Sequence, residues 1–268
     1  MLRWVLVCLF MIVYQQGSLC GHDLWLVPPE TVKTGQKITI LAHSGMEFPL
    51  SEHAPNPVRF KKLYLIGPDG KNGELAPAGT EDKSGLLTCT LSQPGIHILA
   101  VQTEPKLITL EAAEFNHYLV SDGLPHIYEL RHKEKSLDQP GKERYSKSPK
   151  ALVRVEGSNQ GDASRVMGLT LEIVPLCNPF TLKPGGTLPV QVYYLGKPLA
   201  EAHLGWDHPG DGPAATGTVR TNAEGKALIP ISQTGLMTVR LTHMTRPKAK
   251  DYEWESYWTT LTWREEEK

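Results

Sequence analysis

The chain has 268 residues and an almost balanced charge, with 28 Lys and Arg residues against 29 Asp and Glu residues. This balance excludes the strongly basic surface that is typical of proteins that bind nucleic acid or anionic membranes. The length is sufficient for one large domain or two small ones.

An apolar run near the start of the chain predicts export. One positive charge, Arg3, precedes the run from Trp4 to Tyr14, and polar residues follow it. This pattern is typical of a secretory signal peptide, and the run is shorter than the ~20 residues of a transmembrane helix. We therefore predict a signal peptide over residues 1–21 and a periplasmic or secreted mature protein that keeps no membrane span.

Two cleavage sites fit the signal peptide. A cut after Cys20 places the small residues Ser18 and Cys20 before the cleaved bond, whereas a cut after Gly21 makes His22 the first residue. Both alternatives stay open from the sequence. Either cut leaves Cys89 and Cys177 in an oxidising compartment, where a disulfide would persist. The sequence does not place their Cα atoms within bonding range, and we expect two separate thiols.

The first half of the mature chain has the texture of an antiparallel β-sandwich. Segments rich in β-branched and aromatic residues alternate with turn residues. These segments are Leu24 to Val27, Lys37 to His43, Val58 to Ile66, Leu86 to Leu91 and Ile96 to Gln102. Apolar residues at helical spacing predict a short helical pair near residues 111–133, broken at Gly123-Leu124-Pro125. We assign this sandwich to residues 22–157.

A second β-rich region follows a polar linker, "KEKSLDQPGKERYSKSPK", at residues 133–150 and a strand from Ala151 to Glu156. Gly, Ser, Asn and Asp crowd between Ser158 and Arg165, which favours a domain boundary there. Alternating segments then predict a smaller immunoglobulin-like or transthyretin-like sandwich over residues 165–268. The fold class is therefore predicted as mainly all-β, with two β-sandwich domains and one helical insertion.

Sequence motifs give no support for a catalytic function. The chain contains no nucleophile elbow, phosphate-binding glycine loop, His-Glu-x-x-His helix or Cys-x-x-Cys pair. This absence favours binding over catalysis, although triads assemble in space rather than along the chain. A metallo-oxidoreductase with an N-terminal copper site is the remaining enzyme hypothesis.

Ten histidines in an exported chain make a transition-metal site the sharpest functional hypothesis. His243 ends a strand in which Met237, Val239 and Leu241 share its parity, so it is predicted to point inward. His43 ends another strand beside a loop, where binding sites are often built. His203 and His208 flank Trp206-Asp207 in a loop, where exposed side chains are expected rather than a two-residue metal site, and His53 and His97 have no special sequence context.

His22 lies at one of the two predicted cleavage sites. After a cut at Gly21 it would offer a terminal amine and an imidazole nitrogen to one ion, and Cu²⁺ favours such nitrogen-rich sites. The alternative is that His22 merely begins the first strand. The predicted metal ligands are His22 and His243, with His43 third and Glu255 as a carboxylate ligand or as an acceptor that orients an imidazole.

Several ordered motifs give a family resemblance across nearly the whole mature chain. They are His22-Asp23-Leu24-Trp25, Gly45-x-x-Phe48-Pro49, Glu143-Arg144-Tyr145-Ser146, Leu171-Glu172-Ile173-Val174-Pro175, His243-Met244 and Trp254-Glu255-Ser256. Together they resemble a bacterial periplasmic family of unknown function whose members are often labelled as a nickel-uptake, substrate-specific component. The second half is similar to transthyretin-like and carboxypeptidase-regulatory sandwiches, and that resemblance implies a binding or spacing role.

We therefore expect an exported protein that binds copper or nickel, with zinc next, and acts in metal handling. Its expected partners are the metal ion and a metal transporter or another envelope protein, and no nucleic acid is expected. The alternative is a structural or interaction module of the cell envelope that binds no metal. Metal content of the mature protein discriminates between the two.

Overall fold

The computed structural model describes residues 21–209 and 216–265. Within these ranges the chain is mostly β, with seventeen strands and two α-helices, which confirms the predicted all-β class. The predicted signal peptide, apart from Gly21, lies outside the described residues.

The strands of the first half are β1 (Asp23–Val27), β2 (Gln36–Gly45), β3 (Phe60–Ile66), β4 (Leu75–Glu81), β5 (Ser84–Leu91), β6 (Gly95–Thr103), β7 (Lys106–Leu110), β8 (Gly141–Lys147) and β9 (Lys150–Val155). Between β7 and β8 lie helices α1 (Ala112–Ser121) and α2 (Pro125–Lys133). The second half contains β10 (Leu171–Pro175), β11 (Thr187–Tyr194), β12 (Lys197–Pro198), β13 (His203–Asp207), β14 (Thr216–Arg220), β15 (Lys226–Pro230), β16 (Gly235–Thr245) and β17 (Trp254–Glu265).

Three sheets form the fold. A four-stranded sheet has the order β1-β2-β5-β4, and a second small sheet joins β10, β11, β12 and β15. The third sheet has nine strands and runs through β14-β13-β16-β17-β9-β6-β3, with β8 beside β17 and β7 beside β8. The small sheets cover opposite faces of this large sheet, so the fold has three β layers.

Alternation along the central strands explains the layering. Leu99 of β6 and Val153 of β9 belong to the core beneath the first small sheet. Their neighbours Ile98 and Leu152 belong to the core beneath the second small sheet. Because successive side chains of a strand point to opposite faces, one strand can supply both cores.

The two predicted halves are joined by hydrogen bonds in the large sheet. Strand β17, near the end of the chain, pairs in parallel with both β8 and β9 of the first half. Lys150 and Glu172 add an ion pair between the halves, with Nζ 2.8 Å from Oε1 and both side chains about 1 % exposed. Glu172 also accepts hydrogen bonds from the backbone N–H groups of residues 167–169. The halves therefore share a continuous framework.

The helical pair forms where it was predicted and packs on one end of the large sheet. Phe115 and Leu119 of α1 pack with Trp254 and Trp258 of β17 in a separate apolar cluster. Gly123 lies in the turn between the helices with φ of +75°, and a Cβ there would come 2.2 Å from the His203 ring. The turn thus ties the helices to the second half.

Two further observations concern the cysteines and the membrane. Cys89 and Cys177 are both free, the first buried and the second half-buried, as expected. Among the residues that the structure describes, no helix has the length and apolar character to cross a bilayer.

Candidate functional site

A cavity of about 70 Å³ opens beside the start of β1, and two histidines, a buried glutamate and a lysine line it. Its walls come from the first residues of the described chain, the loop after β2, strands β7, β8 and β17, and α1. Apolar side chains from β7 and β17 and polar side chains from β8 face the same space. The lining residues are Gly21, His22, His53, Ile108, Leu110, Tyr118, Glu143, Tyr145, Lys147 and Trp258.

Two histidines meet at this cavity. The rings of His22 and His53 stand edge to face, with centroids 4.8 Å apart. Leu24 pairs with Ser44 across β1 and β2, and Ser44 forms a bridge with His53. The loop after β2 therefore folds back over the start of β1 and brings together two rings that lie 31 positions apart in sequence.

Glu52 orients the ring of His22. Its Oε2 lies 2.7 Å from Nε2 of His22, whose side chain is only 10 % exposed. The other oxygen, Oε1, accepts from the backbone N–H of Met46 at 2.9 Å. These bonds lower the pKa of Glu52, the Met46 N–H contributing most, so the carboxylate is ionised and accepts. In the neutral tautomer that donates Nε2–H to Glu52, the lone pair of His22 is on Nδ1.

His53 is held in the form that binds metals. Burial, and next the nearby His22, lower its pKa, which favours the neutral imidazole at physiological pH. Neutral imidazole is the ligand form of histidine. His53 therefore presents an uncharged ring to the cavity beside His22.

The floor of the cavity contains a buried carboxyl group. Glu143 is 3 % exposed and accepts a hydrogen bond from the Tyr118 hydroxyl at 3.3 Å and another from the Ser256 hydroxyl. Burial raises the pKa of Glu143 to about 7. Burial also lowers the pKa of Lys147 to about 8, and its ammonium donates to the backbone carbonyl of His22.

Below the cavity, a cationic residue holds two acidic side chains. Arg240 donates from Nε to Asp207 at 2.8 Å, and its Nη1 lies 3.6 Å from Asp23. Burial raises the pKa of Asp23, which is next to His22 in sequence. A third acid, Asp122, has one buried oxygen, Oδ2, without a hydrogen-bond partner among the described residues.

His243 points as predicted but lies on the other face of the large sheet. Met237, Val239 and Leu241 are in the core beneath the second small sheet, which confirms the predicted parity. His243 pairs with Tyr257, and both rings contact Tyr194.

The neighbouring pair separates His243 from His22. Thr242 pairs with Trp258, whose ring lines the cavity together with His22. Paired residues point to the same face of a sheet, and the next residue along each strand points to the opposite face. Thr242 and Trp258 therefore face the side of the cavity, His243 faces away from it, and the backbone of the sheet lies between His22 and His243. The geometry does not support one ion held by both.

The other two predicted ligands also have partners of their own. His43 Nδ1 lies 2.8 Å from the Pro49 carbonyl oxygen, so this ring donates to the loop after β2. Glu255 accepts from Arg144 at 2.6 Å, and the two residues pair across β17 and β8. The structure brings neither residue into the lining of the cavity that contains His22.

The donor set fits a transition metal only in part. Two imidazoles on one ion have centroids at most ~6 Å apart, since metal-nitrogen distances are near 2 Å, and the 4.8 Å separation of His22 and His53 satisfies this limit. Across residues 21–209 and 216–265, however, no group of three or more His, Cys, Asp or Glu side chains is arranged to hold a metal ion.

Sequence reasoning missed His53 and the polar residues of β8. His53 lies in an irregular loop, and no periodic pattern marks it. Glu143 and Lys147 lay in a segment interpreted as a polar linker, although their alternate spacing matches a strand with a polar inner face. The family motif Glu143-Arg144-Tyr145-Ser146 was the one feature of the sequence that marked this segment as functional.

Comparison with known proteins identifies a family but no activity. No curated protein matches the chain. The sequence pattern of one family, described as a domain of unknown function, DUF4198, matches residues 19–245. The match covers both halves of the fold and includes His22, His53 and the cavity strands β7 and β8. The chain therefore belongs to the DUF4198 family of domains of unknown function.

Proposed function

We propose that this protein is exported and binds one transition-metal ion, copper or nickel first and zinc next, in metal handling outside the cytoplasm. The observation that carries the proposal is the edge-to-face pair of His22 and His53, with Glu52 on the far nitrogen of His22. Histidines that ligate metals commonly donate their other ring N–H to a carboxylate, which fixes the tautomer and the ring orientation.

Signal cleavage after Gly21 would complete the ligand set. The free amine and Nδ1 of His22 would supply two nitrogens from one residue, and His53 would supply a third. A set of three neutral nitrogens suits Cu²⁺ and Ni²⁺ better than hard cations, which prefer oxygen. Nickel also agrees with the nickel-uptake label of the family that the sequence motifs resemble. A metal transporter or another envelope protein would deliver or receive the ion.

The cavity residues would serve the site without binding the ion themselves. The Lys147 ammonium holds the His22 carbonyl and so fixes the backbone that carries the amine. Trp258, Ile108 and Leu110 form an apolar wall that limits access of water. Glu52 keeps Nε2 of His22 protonated, so that only Nδ1 faces an ion.

Metal titration of the mature chain tests the proposal. A chain that begins at His22 is titrated with Cu²⁺ and Ni²⁺ by calorimetry, alongside His53→Gln and a control, His117→Gln, which changes an exposed histidine of α1. Loss of one imidazole ligand should weaken affinity at least about tenfold, or ~1.4 kcal/mol. The control should bind as the parent does. Equal affinity in all three chains would refute the His22–His53 site.

A second candidate is a structural or interaction module of the cell envelope that binds no metal. The lack of a three-residue ligand group within the described part of the chain favours it. On this account the cavity polar groups stabilise the contact between helices and sheet. Absence of any bound ion at micromolar concentrations, with the terminus at His22 verified by mass spectrometry, would favour this candidate.

A further inference from the structure

Asp122 carries a buried oxygen that no group in the described chain satisfies. Its Oδ1 accepts from the Ser121 hydroxyl at 3.2 Å, whereas Oδ2 is buried without a hydrogen-bond partner. Burial raises the pKa of this carboxyl group to about 8, and the negative charge of Asp23 adds to the effect. A buried acceptor without a partner is destabilising, so a native chain is expected to supply one.

The nearby cations of the described chain are engaged elsewhere. Arg240 bonds to Asp207 and approaches Asp23, and Lys147 donates to the carbonyl of His22. A cavity of about 20 Å³ next to Asp122 could hold one water molecule. A water molecule would satisfy a hydrogen bond of Asp122 but would not supply the positive charge that stabilises its ionised form.

Gly21 passes directly beside this orphaned oxygen. A Cβ on Gly21 would lie 3.0 Å from Oδ2 of Asp122 and 2.1 Å from Cη2 of Trp258. The chain therefore runs through a slot between Asp122 and Trp258 that admits no side chain. The backbone nitrogens of residues 21 and 22 are each one or two bonds from the Gly21 Cα. A cut on either side of Gly21 would thus free an amino group within two bonds of the Cα that passes beside Asp122.

We propose that Asp122 binds the mature amino terminus: the amino group freed by removal of the signal peptide pairs with Oδ2 of Asp122. This contact would hold the start of β1 against the helical pair. The inference rests on the proposed export only in that the leader must be removed. In the metal-free protein the group is an ammonium that forms a salt bridge. With an ion bound, the amine keeps N–H donors for the same oxygen, so Asp122 would act as a positioning residue.

A thermodynamic cycle tests this contact without any metal. Four chains are compared by urea unfolding in EDTA: one beginning at His22, one extended by Ser-Gly so that Gly21 keeps its slot, and both again with Asp122→Asn. Asn is isosteric and retains the bond to Ser121. Asp138→Asn, which neutralises an exposed carboxylate after α2, is the control for a general charge effect.

The expected result is a strong dependence on Asp122. In the parent and in the Asp138→Asn control, the Ser-Gly extension should raise the unfolding equilibrium constant about tenfold. In Asp122→Asn, the same extension should raise it less than about twofold. Equal effects of the extension in all backgrounds, or no effect in any, would overturn the proposal. The second outcome is also expected if water alone satisfies the carboxyl group.

A crystal structure of the chain that begins at His22 gives an independent answer if Asp122→Asn does not fold. An amino nitrogen within ~4 Å of Oδ2 supports the salt bridge, and a longer distance contradicts it. Failure of metal binding with an intact cycle would refute the metal proposal alone. Failure of the cycle with intact metal binding would refute only the role of Asp122.

Discussion

The carboxyl group of Glu143 should make the stability of the protein depend on pH, and Glu143→Gln should remove that dependence. Burial raises the pKa of Glu143 from its usual 4.5 to about 7. Between these values the folded protein retains a proton that the unfolded chain has released. Stability must therefore fall as pH rises through this window.

The size of the effect follows from the shift. A change from 4.5 to about 7 corresponds to roughly 3 kcal/mol, since each pK unit is worth ~1.4 kcal/mol. Because Glu143 is only 3 % exposed, solvent screening reduces this value little. Gln is isosteric, and its Oε1 can accept the bonds from Tyr118 and Ser256. The substitution therefore removes the titration and keeps the contacts.

Urea unfolding at pH 5 and at pH 7.5, without metal, measures the difference. The parent should lose up to ~3 kcal/mol more stability between these pH values than Glu143→Gln does. The exposed Glu156→Gln serves as control and should follow the parent. Parallel losses in the parent and Glu143→Gln would show that Glu143 ionises normally in the folded protein and would refute the reasoning.

Three further outcomes are expected. Lys150→Met should lower the free energy of unfolding by about 3–5 kcal/mol, because it leaves Glu172 charged and buried without its cation. Gly123→Ala should cost at least ~1 kcal/mol, from the positive φ and the contact with the His203 side chain. A His203→Ala change in the same chain should recover only the part due to the ring, because the His203 Cβ would still lie 2.8 Å from the new Cβ; both are measured by urea unfolding. His243→Gln should leave copper affinity within about twofold of the parent, because the sheet separates it from His22; a tenfold loss in a calorimetric titration would contradict this placement.

Sequence patterns predict the strands that bury one apolar face. Strand β2, predicted at Lys37 to His43, is Gln36–Gly45, and β6, predicted at Ile96 to Gln102, is Gly95–Thr103. The same logic misses β8, which sends Glu143 and Lys147 inward and so reads as a polar linker. The period-two pattern of apolar residues indicates hydrophobic burial, so it does not detect a strand whose inner face is polar.

The pairing between the two halves was also beyond reach of local patterns. The parallel partners of β17 lie more than 100 positions earlier in the chain, as Trp254 pairs with Glu143. The candidate site has the same character, since His53 meets His22 only through the return of an irregular loop. Sequence position singled out His22, and the structure places it in the lining of the cavity, but its neighbours there depend on tertiary structure.

Electron paramagnetic resonance of the chain that begins at His22, with one equivalent of Cu²⁺, tests the metal site most directly. The proposed ligand set predicts one bound Cu²⁺ per chain with a tetragonal signal split by coordinated nitrogens, and the splitting should lose one nitrogen in His53→Gln. Unbound copper, or a signal that is identical in the parent and in His53→Gln, would contradict a metal site formed by His22 and His53.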